Sequence, residues 1–353
     1  MEIPSRTGNR MAMLRFMMIV GIVILHTPPY VAMKEIGNDF FDLGKAFFQL
    51  ALFRATVPVL SLISGYLLFQ SGVDQHFLKL MKKKLAKLAV PFLFFNLSVL
   101  GAAYLLERYL GIVTSDPLAD ADLATWLDAA FSLTALPVNY PLHFLRDLLV
   151  AMLLAPVLGL LLREYTLRGL VLVVTFFYFN LDQHLIMRTE IIIMFYLGGL
   201  LAVKEVDMHR LDGFAVHCVA ILVLFCCAIL YFRVENLTPF RLAAPFLIWP
   251  AAALFDQSRA GAWLCRMSKY SFFLFLIHAP LTFLVFILYR RTMPVPYEVF
   301  WLLSPVLVAS ISVFAYKLLS RFVPKVFNFA VGNESRSAGQ AARAGARPVL
   351  VQG

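Results

Sequence analysis

In the stretch "RFMMIVGIVILH", ten uncharged and almost wholly apolar residues separate Arg15 from His26. A guanidinium binds phosphate or carboxylate through paired donors, and an imidazole takes a proton or attacks a carbonyl. Eleven residues at about 100° each come to about 1,100°, three turns plus roughly 20°, so both side chains leave one face of a helix. Their axial separation is about 16 Å, roughly half of a 30 Å hydrocarbon core. Three other apolar stretches carry groups of the same kind. "FRATVPVLSLISGYLLF" holds Arg54, "PLHFLRDLLVAMLLAP" holds His143, Arg146 and Asp147, and "KYSFFLFLIHAP" holds His278. An ionisable group inside a span is costly unless it faces a polar cavity or a partner, which makes each a candidate for function.

Each residue also has a plainer reading. Arg15 alone is a snorkelling anchor, and His26 caps or kinks a helix before Pro28 and Pro29. Arg146 and Asp147 point about 100° apart and would each meet another helix in a structural ion-pair network. His278 would be a hydrogen-bonded core histidine, and Ser64–Tyr66 a small-residue helix contact. Pattern alone leaves both sets open.

These residues need a membrane bundle to hold them. The chain has 353 residues, is 61% hydrophobic and 15% charged, and has a mean hydropathy of +0.80, far above what a soluble domain requires. Its apolar runs do not alternate as barrel strands do, so the expected fold is all-α, a polytopic bundle. About ten runs are legible, near 11–32, 46–69, 88–110, 142–162, 167–181, 189–203, 213–232, 240–255, 271–289 and 298–320. The fifth, sixth and eighth fall short of the roughly 17 residues a crossing helix needs, and the fifth and sixth would suit a re-entrant pair.

The net charge of +10 resides in links between runs, without the interleaved aromatics of a nucleic-acid groove, so nucleic acid is not an expected partner. Positive-inside bias places "KLMKKKLAK" (79–87), Arg163, Lys204, Arg266 and Lys317 in the cytoplasm, with both termini, and the acidic loop 111–141 outside. The basic segment also suits anionic lipid or a phosphorylated cosubstrate. Cys218, Cys226, Cys227 and Cys265 lack metal-ligand spacing, so neither a metal nor a disulfide framework is expected. Residues 1–325 read as one membrane domain, and the small, polar composition of 326–353 reads as a disordered cytoplasmic tail.

Taken in order, Arg15-x10-His26, "VPVLSLISGYLLF", "KKLAKLAVPFLFF", "HFLRDLLVAMLLAP" and "SKYSFFLFLIHAP" resemble membrane acyltransferase family 3, the multi-span enzymes that modify bacterial surface and exported polysaccharides. The likeness covers roughly 15–320 and departs in "VLSLISGY", where many members carry more phenylalanine. It implies acyl transfer at the bacterial inner membrane, acetyl before succinyl, from cytoplasmic acyl-CoA to a hydroxyl of an exopolysaccharide or lipid-linked oligosaccharide. Polysaccharide-synthesis machinery is a further partner on that reading. Arg15 would meet the donor's phosphates or pantetheine arm, and His26 would be the general base or carry the acyl group transiently. Arg54 and Arg146 would steady the developing oxyanion or orient the donor. The rival classes are a secondary transporter using Arg15, His26 and Arg54 as a relay, and a structural part of an export assembly. An enzyme would hold Arg15 and His26 together in one polar cavity; a transporter would show paired broken helices at midplane.

Overall fold

A computed structural model describes residues 5–333 except 83–85, 113–116, 119, 184 and 293. Asp116, Lys83, Lys84 and most of the expected tail therefore lie outside the described residues. The chain runs through α1 (Ser5–Leu25), α2 (Phe40–Ala46), α3 (Thr56–Gln70), the short α4 (Phe77–Leu80), α5 (Ala86–Leu110), α6 (Leu123–Phe131) and α7 (His143–Glu164). It continues with α8 (Thr166–Tyr178), α9 (Thr189–Val203), α10 (Ala215–Tyr231), α11 (Thr238–Ala251), α12 (Arg259–Met267), α13 (Ser271–Thr292), α14 (Tyr297–Phe322) and α15 (Pro324–Ala330). Among the described residues, eight helical segments are long and apolar enough to cross a membrane, so the fold is a polytopic helical bundle.

Two of the expected ten runs, now α8 and α9, are the short apolar pair, while the eighth run extends to Thr238–Phe255 and reaches crossing length. The shortness of α9 has a physical reason. Ile191 through Tyr196 are at most 2% exposed, so this helix is enclosed by protein and has no hydrocarbon thickness to match.

The tightest approach is between α3 and α9, and glycine makes it. A Cβ on Gly65 would stand 1.9 Å from the Phe195 carbonyl oxygen, and one on Gly198 2.0 Å from that of Leu62. The Ser-Gly-Tyr stretch is thus a helix contact, the plainer of its two readings. We expect Gly65→Ala to force the backbones apart and cost about 3 kcal/mol, near the upper end for overpacking, since a backbone oxygen cannot rotate away. Gly101, whose Cβ would meet nothing within 4 Å, serves as the control. Thermal unfolding in detergent should show a lowered midpoint for Gly65→Ala and none for Gly101→Ala; equal midpoints would refute the packing assignment.

The N-terminal end of α1 is held by charge. Arg10 is 1% exposed, donates to Asp212 (2.7 Å) and to Asp256, and lies over the Trp249 ring at 5.3 Å. Arg6 joins the same carboxylates, and His209 lies 3.0 Å from Asp212. Arg10 is therefore the centre of an ion network and not only a topology signal. Burial opposes the charge on Asp256, but hydrogen bonds from Arg10 and Arg6 outweigh it and hold the carboxyl below its usual range. A depressed carboxylate stabilises the fold above its unfolded value, about 3.9, and that contribution drains away as pH falls through the folded value. Thermal midpoints measured from pH 6 to pH 3 should fall steeply below about pH 4. Asp256→Asn should flatten this part of the profile; an unchanged slope would remove Asp256 as its source.

The fold also runs past residue 325. In α15, Phe327 is 4% exposed and packs on Phe273, Val331 is buried, and Gly332 rests on the Lys87 backbone. Burial of Phe327, Ala330 and Val331 thus packs the first residues beyond 325 against the bundle.

Candidate active site

α1, α3, α7 and α13 surround a column that holds two cavities. The near cavity, about 340 Å³, lies toward the α1 N-terminal end and is lined by Arg15, Ser64, Lys87, Ser268 and Ser271 above apolar walls that include Leu145 and Leu148. The far cavity, about 330 Å³, is lined by His26, Arg54, Tyr140, His143, Arg188, Glu190 and Arg241. Ile19 lines the first and Ile22 the second, so Arg15, Ile19, Ile22 and His26 form one stripe along α1. The shared face expected from helix geometry is present. The single shared cavity is not: Phe275 lines both chambers and stands between them. It is 3% exposed and packs edge-on against Phe144 at 5.8 Å, which a residue-type pattern cannot reveal.

His26 follows the last turn of α1, where carbonyls lack helical partners. Side chains from elsewhere supply them. Gln49 donates to the carbonyls of Ile24 and Thr27, both at 2.8 Å, Tyr30 to that of His26 at 2.8 Å, and Lys45 to that of Pro29 at 3.0 Å. Gln49 can reach because the second span is irregular there. A π-helical turn at Phe47–Ala51 passes into a 3-10 turn at Leu52–Ala55 before α3 begins. Such turns redirect side chains and recur at functional sites. This one also carries Arg54, and Gly21 on α1 lets the Phe53 ring come close.

His26 is 9% exposed, and its partner is His278. Nδ1 of His278 lies 2.6 Å from the Phe275 carbonyl oxygen. A carbonyl only accepts, so that nitrogen carries the hydrogen. Nε2 of His278 lies 3.0 Å from Nδ1 of His26, and two imidazoles this close do not both carry charge. With neutral rings, Nε2 of His278 accepts and Nδ1 of His26 donates. The lone pair of His26 then falls on Nε2, the nitrogen left for the far cavity. The plainer reading of His278, a bonded core histidine, and a functional one coincide: it sets the tautomer of His26. The sequence marks His278 as an intramembrane imidazole but not as the partner of His26, because the contact joins positions 252 residues apart.

Arg54 lines the far cavity beside His26, as expected for a buried cation in need of a polar space. Arg146, expected to steady the oxyanion or orient the donor, lines neither cavity. Its guanidinium donates to the carbonyls of Ser132 (3.0 Å), Leu133 (3.2 Å) and Leu185 and to Asp147 (3.1 Å). Adjacent residues pair here after all, because the fully buried Asp147 sits between Arg146 and the backbone N–H groups of Met187 (3.1 Å) and Arg188 (3.0 Å). This pair fixes the segment that brings Arg188 and Glu190 to the far cavity. Those two, with Arg241, carry no mark in the sequence: all three fall between or at the ends of apolar runs, where a charge ordinarily reads as solvated.

Three comparisons bear on this geometry. Residues 10–317 match a family described as an acyltransferase domain. The chain is similar to the succinoglycan biosynthesis protein ExoH of Rhizobium meliloti (strain 1021), 30% identical over 346 residues, with 94% of each chain covered. No solved structure matches it.

Proposed function

The chain belongs to membrane acyltransferase family 3, and from that premise we propose that it transfers an acyl group from acyl-CoA, met at the near cavity from the cytoplasm, to a hydroxyl of a polysaccharide acceptor in the far cavity. The family and the succinoglycan-biosynthesis relative support acyl transfer onto a polysaccharide by a multi-pass membrane enzyme. The observation that carries the finer reading is the stripe from Arg15 to His26 along a column open at both ends. Lys87 is exposed at the near cavity, and Tyr30 and Arg188 at the far one.

The near cavity fits the donor. Arg15 and Lys87 suit phosphate oxygens, and the leucine walls suit the alkyl parts of a pantetheine arm. The buried Ser271 hydroxyl, unpartnered among the described residues, suits an amide of that arm. Ser64 and Ser268, which donate to the Leu60 and Cys265 carbonyls, can still accept from an amide N–H. A volume of about 340 Å³ takes the arm and leaves the nucleotide outside. Acetyl, expected from the sequence, fits this column as a small acyl group.

The acceptor hydroxyl reaches Nε2 of His26 from the far side. His26 takes its proton as the oxygen attacks the thioester carbonyl; the new carbon–oxygen bond forms, the carbon–sulfur bond breaks, and the proton passes to the departing thiolate. Nδ1–H of His26 remains on His278, which steadies the transient imidazolium. Arg54 is placed to attract the negative charge that gathers on the carbonyl oxygen. Phe275 stands where the two substrates must meet, and its side chain must yield for the thioester to pass.

Positive-inside bias puts the near cavity in the cytoplasm. Labelled acetyl-CoA supplied to sealed membrane vesicles tests this. Inside-out vesicles, which expose the cytoplasmic face, should transfer label to endogenous glycan, and right-side-out vesicles should not until made permeable. Transfer only in right-side-out vesicles would overturn the assigned donor side.

A further inference from the structure

Glu190 is bound to Arg241 at 2.8 Å, and Arg54 and Arg188 make no ion pair among the described residues. The far cavity thus has three guanidiniums against one carboxylate, beside the proposed base. Arg54 Nε is buried without any hydrogen-bond partner, and the like charges of Arg188 and Arg241 both act on that residue. A buried donor left unpaired, among cations that repel it, is costly unless something anionic completes the set. The oxyanion of the transferring carbonyl exists only in passing, so it cannot offset this surplus in the resting complex.

We propose that Arg54, Arg188 and the Arg241–Glu190 pair form a subsite for a permanent carboxylate carried by a substrate, held beside His26 during transfer. Two sources share this chemistry: the distal carboxylate of a dicarboxylic acyl group, and an acidic sugar of the acceptor. Arg54 is the inner anchor and the exposed Arg188 the outer one. Glu190 neutralises and orients Arg241, which leaves one face of the cavity cationic without drawing the carboxylate away. The assignment rests on the acyl-transfer reading above.

Surface polysaccharide from cells expressing the full chain, Arg54→Gln, Arg54→Lys, Arg188→Gln or His26→Ala tests it, with ester-linked acids released by mild base and mapped to sugar residues, and membrane levels of each variant matched by immunoblot. The expected result is at least a tenfold loss of anion-associated esters in Arg54→Gln and Arg188→Gln, with Arg54→Lys retaining more than Arg54→Gln because it keeps the charge. Esters of a dicarboxylic acid in the unaltered strain identify the acyl group as the source; acetyl esters confined to repeat units with an acidic sugar identify the acceptor. Neutral esters on neutral sugars, undiminished in Arg54→Gln, would overturn the subsite and leave water as the partner of Arg54. Undiminished esters in His26→Ala would overturn the acyl-transfer reading itself, and the subsite with it.

Discussion

His26→Ala is expected to lower acylation of surface polysaccharide by about 10³-fold while polymer yield stays unchanged. Removal of a general base costs about 10²- to 10⁴-fold. His143 lines the same cavity with its Nδ1 on the Tyr140 carbonyl at 2.8 Å, which leaves its own lone pair on Nε2, so His143→Ala is the parallel variant and should keep more acylation than His26→Ala. The substitution also leaves the carbonyl clamps at the end of α1 in place, since Gln49, Lys45 and Tyr30 bind backbone and not the imidazole. Ester content per unit polymer, measured after base release with the protein level held equal, decides the matter. A strain that loses the polymer but keeps its acyl content would point to transport or assembly instead.

His278→Ala carries the second large effect, about 10²-fold or more, and it works through His26. Without the acceptor at 3.0 Å, Nδ1 of His26 loses the partner that holds its hydrogen, the lone pair is free to move to Nδ1, and Nε2 no longer faces the acceptor as a base. His278 is also fully buried on α13, so its loss leaves a polar-lined void and some loss of stability. The two effects separate by rescue. His278→Asn offers a carbonyl oxygen in place of Nε2 and should restore part of the activity, whereas His278→Leu fills the volume and should not. Equal activity in Asn and Leu variants of equal thermal midpoint would show that His278 only packs.

Much of the bundle is legible in one dimension because hydrocarbon imposes it: a span must be long, apolar and internally bonded. The runs near 88–110 and 298–320 correspond to α5 and α14 for that reason. The α1 stripe is equally legible, since helical geometry alone puts Arg15 and His26 on one face. What the sequence hides depends on long-range contact. Asp147 looks like a lone intramembrane acid until it is seen accepting from Arg146 and from backbone 40 residues away. Arg10 looks like one more cytoplasmic cation until Asp212 and Asp256 converge on it from two other links. The π turn before Arg54 leaves no compositional mark, although it shifts that side chain into the cavity. Phe275 is one of 33 phenylalanines, and only its place between two chambers distinguishes it.

On the proposed reading, the pairing of His26 with His278 would let an imidazole near a helix end act as a base in a bundle that penalises charge. A neutral relay anchored on the Phe275 carbonyl presents a lone pair without burying a cation, and an imidazolium would be needed only while an oxyanion stood beside it. Arg15, on that same reading, serves the other end of the column, where Lys87 and three serines accompany it, so one residue of the motif would hold the donor while the other acts on the acceptor hydroxyl.

Electron cryomicroscopy of the full chain in lipid nanodiscs, with a non-hydrolysable thioether analogue of acetyl-CoA bound, tests the joined column most directly. The account predicts the pantetheine arm running from Arg15 past a displaced Phe275 ring, with its acyl carbon about 3.5 Å from the hydroxyl position served by His26 Nε2. An analogue seated outside the four-helix column, with Phe275 still packed on Phe144 and the far cavity closed to it, would contradict the account.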